Sequence, residues 1–133
     1  MKGGLGFSKS FYIATRIGNR PIAKELRSKL IEQGHIVTSR WIDGEGVFGA
    51  TDSSAEYAKK WSDVDLYDVS RARATIVLAD EDGGTGMWVE MGHALALRKP
   101  VLYVGPPTRT VFAYANLVVR FDTIEQLLEY TAK

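Results

Sequence analysis

The chain has 133 residues, 45% of them hydrophobic, with a formal net charge of +1. That length and apolar content suit one domain over 1–133 with a sizeable core, and the near-neutral balance offers no bulk attraction to a nucleic-acid polymer or a membrane surface. The absence of cysteine excludes disulfides, thiol nucleophiles and cysteine-ligated zinc, and suits a cytoplasmic protein.

The start, "MKGGLGFSKS", lacks an apolar core of signal-peptide length, and no run approaches the ~18 residues that span a bilayer. Residues 1–9 read as a flexible leader. "SFYIAT" is the first predicted strand, "RPIAKELRSKLIEQG" a helix stopped by Gly34, and "HIVTSRW" the second strand. A glycine-rich loop, "IDGEGVFGATDSS", leads into a helix from Ala55 to about Arg73, followed by the apolar strand "ATIVLA". In "GGTGMWVEMGHALALRKPVLYVG", Thr85 can cap a helix that Pro100 stops just before a fourth strand. "LVVRF" makes a fifth strand and "DTIEQLLEYTAK" a closing helix. Short β-branched strands separated by helices predict an α/β fold with a parallel sheet covered on both faces. At this size the expected form is a flavodoxin-like three-layer sandwich, strand order 2-1-3-4-5.

In such a sheet ligands sit beyond the carboxyl ends of the strands where the order reverses, here where "ATRIGNR" and "ADEDGGTG" meet. At about 100° per residue, Met87, Met91, Ala94 and Leu97 share one side of the third predicted helix, and Glu90 falls between Ala94 and Leu97. A buried carboxylate needs a partner, a wet cleft or a task. The modest reading pairs Glu90 with His93 one turn on. The other places it in the cleft, where the positive helix end helps keep it ionised.

Other chemistries fit less well. "GGTGMW" follows the third strand and lacks the third glycine of a dinucleotide fingerprint. Asp80 could be a receiver-domain phospho-acceptor, but Thr15 and Arg16 stand where the acidic pair belongs. Asp80, Glu81 and Asp82 could hold a divalent metal, yet no further ligand stands at a readable spacing. His35 and His93 are too isolated for zinc, and there is no serine or cysteine elbow. No metal or cofactor is expected. A carboxylate nucleophile remains, suited to a bond whose cleavage builds positive charge at carbon, with a second carboxyl wanted at the leaving group. "WSDVDLYDVSRA" offers Asp63, Asp65 and Asp68, each otherwise a solubilising helix residue.

"SFYIAT", "DVDLYDVSRARATIVLAD" and above all "VEMGHALALRKPV" resemble the nucleoside 2-deoxyribosyltransferase family, which includes the related 2'-deoxynucleoside 5'-monophosphate N-glycosidases. The resemblance covers most of the chain in order. It implies the flavodoxin-like fold, Glu90 as the nucleophile at C1' of a deoxyribose, Asp65 as the group that contacts and protonates the leaving base, and Tyr12 as the residue that orients Glu90. The implied reaction passes through a glycosyl ester, opened by a second base in a transferase or by water in a hydrolase.

Thr15, Arg16, Asn19 and Arg20 after strand one, with the amides of Gly83, Gly84, Thr85 and Gly86, could cradle an anion such as a 5'-phosphate. Gly84 stands where some relatives carry Asp or Ser, and Trp88 where the residue is often small. Trp41 and Trp88 are candidates to stack on a base. The expected partners are a small nucleoside or nucleotide and a nucleobase. The family builds its sites near subunit contacts, which implies a homo-oligomer in which Tyr114 or Asn116 reaches a neighbour's site. A reading from another class keeps the cleft as a nucleotide-sensing module in which Glu90 only hydrogen-bonds a sugar.

Overall fold

In a computed structural model that describes residues 9–44, 49–80 and 84–133, the middle strands are apolar on both faces. Strand β1 (Ser10–Ala14) is buried from its second residue, and β3 (Ala74–Leu78) and β4 (Val101–Val104) are buried throughout. Strands covered on both sides read as continuous hydrophobic runs, so they belong at the centre of a parallel sheet. The shorter β2 (Ile36–Val37) and the half-exposed β5 (Val118–Phe121) form its edges. The order is β2-β1-β3-β4-β5, every pairing parallel. Helices α1 (Arg20–Glu32) and α4 (Ile124–Thr131) pack together, as do α2 (Ala55–Arg71) and α3 (Thr85–Ala96), giving the α/β sandwich expected from the sequence.

Local chemistry sets the helix ends. Pro21 opens α1, and Gly34 just past its end takes φ 92°, which glycine adopts without strain. Ser54 caps α2 by accepting from the Tyr57 amide, and Thr123 caps α4 by accepting from the Gln126 amide. Lys99 Nζ donates to the carbonyls of Ser70 and Ala72 at the end of α2. His35 is a structural residue: its Nδ1 accepts from the Lys9 amide and Nε2 lies 2.8 Å from the Thr131 carbonyl oxygen. This ties the start of β1 to the end of α4.

Several sequence expectations need correction. The second strand ends at Val37 instead of running to Trp41. Side chains replace its ladder: the Ile13 amide donates to Ser39 Oγ at 2.6 Å, and Trp41 Nε1 donates to the Ile13 carbonyl at 2.8 Å. With those groups satisfied, Arg40–Asp43 turns into a 3-10 segment. Thr85 does not cap α3. It is the first helical residue, behind a left-handed Gly84 at φ 89° with no side-chain cap. Leu97 is exposed because α3 ends at Ala96, whereas Met87, Met91 and Ala94 are buried as expected. The second helix ends at Arg71, two residues early. The leader expected over 1–9 lies, but for Lys9, outside the described residues, as do Glu81, Asp82 and Gly83.

Candidate active site

Strands β1 and β3 release the chain side by side at the point where the strand order reverses, and the N-terminal half of α3 lies against the same edge. A cleft of about 380 Å³ opens there. Glu90 and Asp65 line it, one from α3 and one from α2, together with Thr15, Arg16, Trp41, Gly84, Thr85 and Gly86.

Tyr12 stands behind the cleft, fully buried on β1, and donates from its hydroxyl to Glu90 Oε2 at 2.9 Å. Burial, and after it the negative charge of Glu90, raises its pKa well above the usual tyrosine value. It is therefore a permanent proton donor in the hydrogen bond. Glu90 takes this partner and not His93. The positive end of α3 does not keep Glu90 ionised, contrary to the sequence expectation. Burial first, then the charge of Asp65, pushes its pKa up to about 8, against a lowering by the Tyr12 hydrogen bond. Glu90 is the sixth residue of α3, and the dipole fades within the first turn. Asp65 is raised to about 6 by burial and by the charge of Asp68, and lowered by its hydrogen bond with Glu90. Burial and the mutual repulsion of the two carboxyls thus favour one proton shared by the pair near neutral pH.

The three aspartates of α2 separate completely. Asp63 is exposed and pairs with Lys59 one turn back, as a solubilising residue does. Asp68 is fully buried, accepts from the Arg40 amide and guanidinium at 2.7–3.1 Å, and anchors the turn after β2. Asp65 alone faces the cleft, with Oδ1 buried and given no hydrogen-bond donor among the described residues.

The groups offered to an anion are largely engaged with one another. Thr15 donates inward to the Leu78 carbonyl, Asn19 donates to Thr15 and to Asp80, and Arg16 Nε donates to Asp80 at 2.7 Å. Gly84 is confined by Met87, whose Cε would lie 3.0 Å from an added Cβ, whereas a Cβ on Gly86 would meet only open space. Trp41 reaches the cleft as a rigid wall, buried and pinned through its indole nitrogen.

Three expected residues lie elsewhere within the chain. Trp88 points to the far side of α3, stacks on Tyr103 with centroids 6.4 Å apart, and lines a separate apolar cavity with Phe112. Asn116 lines a depression beside Leu95 and Arg98, and Tyr114 lies under the Arg120 guanidinium. Neither lines the cleft of its own chain. Sequence reasoning passed over Tyr57 and Trp61, which stand beside Asp65. Their signal was the four-residue spacing of Tyr57, Trp61 and Asp65, which stacks them on one helical face. Among the described residues no cluster could hold a metal ion, and no helix is long and apolar enough to cross a membrane.

No protein-family model matches the chain, and no curated protein sequence does. Solved structures do match. A 2-deoxyribosyltransferase from Bacillus psychrosaccharolyticus is similar at 22% identity and a TM-score of 0.70, over 91% of this chain and 91% of that one. A CMP N-glycosidase from Clostridium botulinum is similar at 17% identity and a TM-score of 0.58, over 92% of this chain and 97% of that one. The chain shares their fold over nearly its whole length.

Proposed function

We propose that the chain is a member of the nucleoside 2-deoxyribosyltransferase family, cleaving the N-glycosidic bond of 2'-deoxyribonucleosides and passing the deoxyribose to another nucleobase. The observation that carries this reading is the Tyr12 hydroxyl donating at 2.9 Å to Glu90 in a cleft that also holds the Asp65 carboxyl. A carboxyl nucleophile, its positioning donor and a second carboxyl for the leaving group are the set that glycosyl transfer with retention requires. The two similar structures, a 2-deoxyribosyltransferase and a CMP N-glycosidase, are of proteins whose names denote chemistry at this kind of bond.

Attack requires the proton of the pair to sit on Asp65. Passing the proton from Glu90 to Asp65 leaves a carboxylate facing C1' and an acid beside the base. Glu90 attacks C1', the C–N electron pair leaves on the base, and Asp65 supplies its proton. Tyr12 holds Glu90 in line throughout. An incoming base then opens the glycosyl ester and returns its proton to Asp65, which restores the pair. Side chains alone supply this chemistry, so no cofactor is needed. The substrate is a small molecule handled in the cytoplasm. In this reading the chain is a homo-oligomer, and Tyr114 or Asn116 reaches the cleft of a neighbouring copy.

Hydrolysis of 2'-deoxynucleoside 5'-monophosphates is the second reading, favoured by the Thr85 and Gly86 amides at the start of α3. The Arg16–Asp80 ion pair weighs against it, because a phosphate would have to compete with Asp80 for the guanidinium. Chromatography of free base released from deoxynucleosides and their 5'-monophosphates, with and without a second base, separates the readings. Base exchange that disappears in Glu90→Ala is the expected result. Release from monophosphates alone, indifferent to added base, would favour the hydrolase. No release from any substrate would leave a binding module.

A further inference from the structure

The two helices that carry the carboxyl pair are joined at the end away from the cleft. Helix α2 runs into β3 and α3 into β4, and both strands begin at the edge of the sheet opposite the cleft. There Lys99 Nζ, just beyond α3, donates to the carbonyl oxygens of Ser70 and Ala72, the latter at 2.7 Å. The last carbonyls of a helix have no partner within it and carry the negative end of its dipole, so a lysine side chain answers both needs of α2.

The backbone around Lys99 fixes where that side chain starts. The Arg98 amide donates to the Leu95 carbonyl and the Lys99 amide to the Ala94 carbonyl, each at 3.0 Å, which closes α3 in a paired turn. Arg98 takes φ 62° to do so, a left-handed conformation that costs free energy in any residue with a Cβ. One residue further on, the Pro100 carbonyl accepts from the Thr75 amide at the start of the β3–β4 ladder. Lys99 is therefore held on both sides, by the turn of α3 and by the sheet, and its side chain is a strut between helices.

At the other end Asp65 and Glu90 enter one cleft from α2 and α3. Asp65 lies five residues before Ser70, about 7.5 Å along the helix. Two carboxyls brought together out of water repel one another, and splaying of the two helices would part them. The Lys99 bonds resist that motion from the far end.

We propose that Lys99 is a positioning residue for the reaction, holding α2 against α3 so that Asp65 stays close enough to Glu90 to share its proton. This rests on the roles given above to the two carboxyls. Lys99 does not line the cleft, so it acts through the helices and not on the substrate.

The test is a carboxyl carbon-13 NMR titration of the full chain beside the kinetics of base release from deoxynucleosides, for the parent, Lys99→Met and Lys99→Arg. In the parent chain, burial and the charge of Asp65 push Glu90 up to about 8. Lys99→Met should bring that step down toward the ordinary glutamate range and draw the two limbs of the pH profile together. It should also lower kcat about ten-fold or more with little change in KM. Lys99→Arg keeps a cationic donor and should recover most of both. A general loss of stability would leave the titration step in place. If Lys99→Met does not fold by thermal melting, Lys99→Gln, a shorter neutral donor, takes its place. A titration step unmoved in the folded variant would overturn the strut, whether or not kcat falls. A step that moves while the parent chain cleaves no deoxynucleoside would uphold the strut and remove the reaction. Cleavage with parental kcat and limbs in Lys99→Met would overturn the strut and leave the reaction standing.

Discussion

The Tyr12 hydroxyl and Glu90 Oε2, 78 residues apart in sequence, meet at 2.9 Å between the centre of the sheet and the inner edge of α3. Because Tyr12 is sealed in the core and Glu90 lines the cleft, this bond holds the carboxyl from behind. A hydrogen bond to a charged group contributes about 1.5–3 kcal/mol. Tyr12→Phe should therefore lower kcat by roughly 10- to 100-fold with little change in KM. The same variant should move the alkaline limb of the pH profile upward, since it removes the donor that favours ionised Glu90. A loss of fold alone would not move that limb.

The activity of a pair that must hold one proton is bell-shaped in pH. Below about 6 Asp65 is protonated along with Glu90 and the nucleophile is lost; above about 8 both are ionised and the acid is lost. The kcat/KM profile should peak near neutrality between those limbs. Asp65→Asn removes the acid, so release of base should fall by about 10²-fold or more. A flat profile from pH 5 to 9 would sink the shared-proton account.

Glu90 should also cost the fold stability when it ionises. Its folded pKa is raised above the unfolded one, so the native state binds the extra proton and stability declines as pH rises from the ordinary glutamate range through about 8. Glu90→Gln keeps an acceptor for Tyr12 and cannot ionise. Its melting temperature should exceed that of the parent chain by a few degrees at pH 9 and match it at pH 4. Melts at the two pH values check the sign.

Gly105, at the end of β4, has φ 119°, and a Cβ there would sit 2.2 Å from the Ala79 carbonyl oxygen. Ala79 immediately precedes Asp80, the partner of Arg16. Gly105→Ala should destabilise the protein by about 2–4 kcal/mol through strain and backbone displacement. Denaturant unfolding measures it.

The aspartates of α2 offer a control within one helix. Asp63→Ala removes a solvent-exposed pair and should change stability by less than about 0.5 kcal/mol. Asp68→Ala strips the buried acceptor of the Arg40 turn and should lower the melting temperature sharply. Similar melting temperatures for the two variants would contradict the structural assignment of Asp68.

Alternating β-branched strands and capped helices declared the α/β sheet and its order, because periodicity and turn residues are local properties. The placement of the cleft followed from the topology, and Glu90 was conspicuous as a charge on an otherwise apolar helix side. What the sequence could not supply was which neighbour each polar group meets. Asp63, Asp65 and Asp68 look alike in a row of letters, yet packing gives them solvent, the cleft and a buried guanidinium partner respectively. By residue type Trp41 and Trp88 are equally fit to stack on a base, but a helix has two sides and only the contacts of α3 send Trp88 away from Glu90. The raised pKa of Glu90 is likewise a tertiary property. Burial and the charge of Asp65, which comes from a different helix, set it, and no local pattern encodes the distance between α2 and α3.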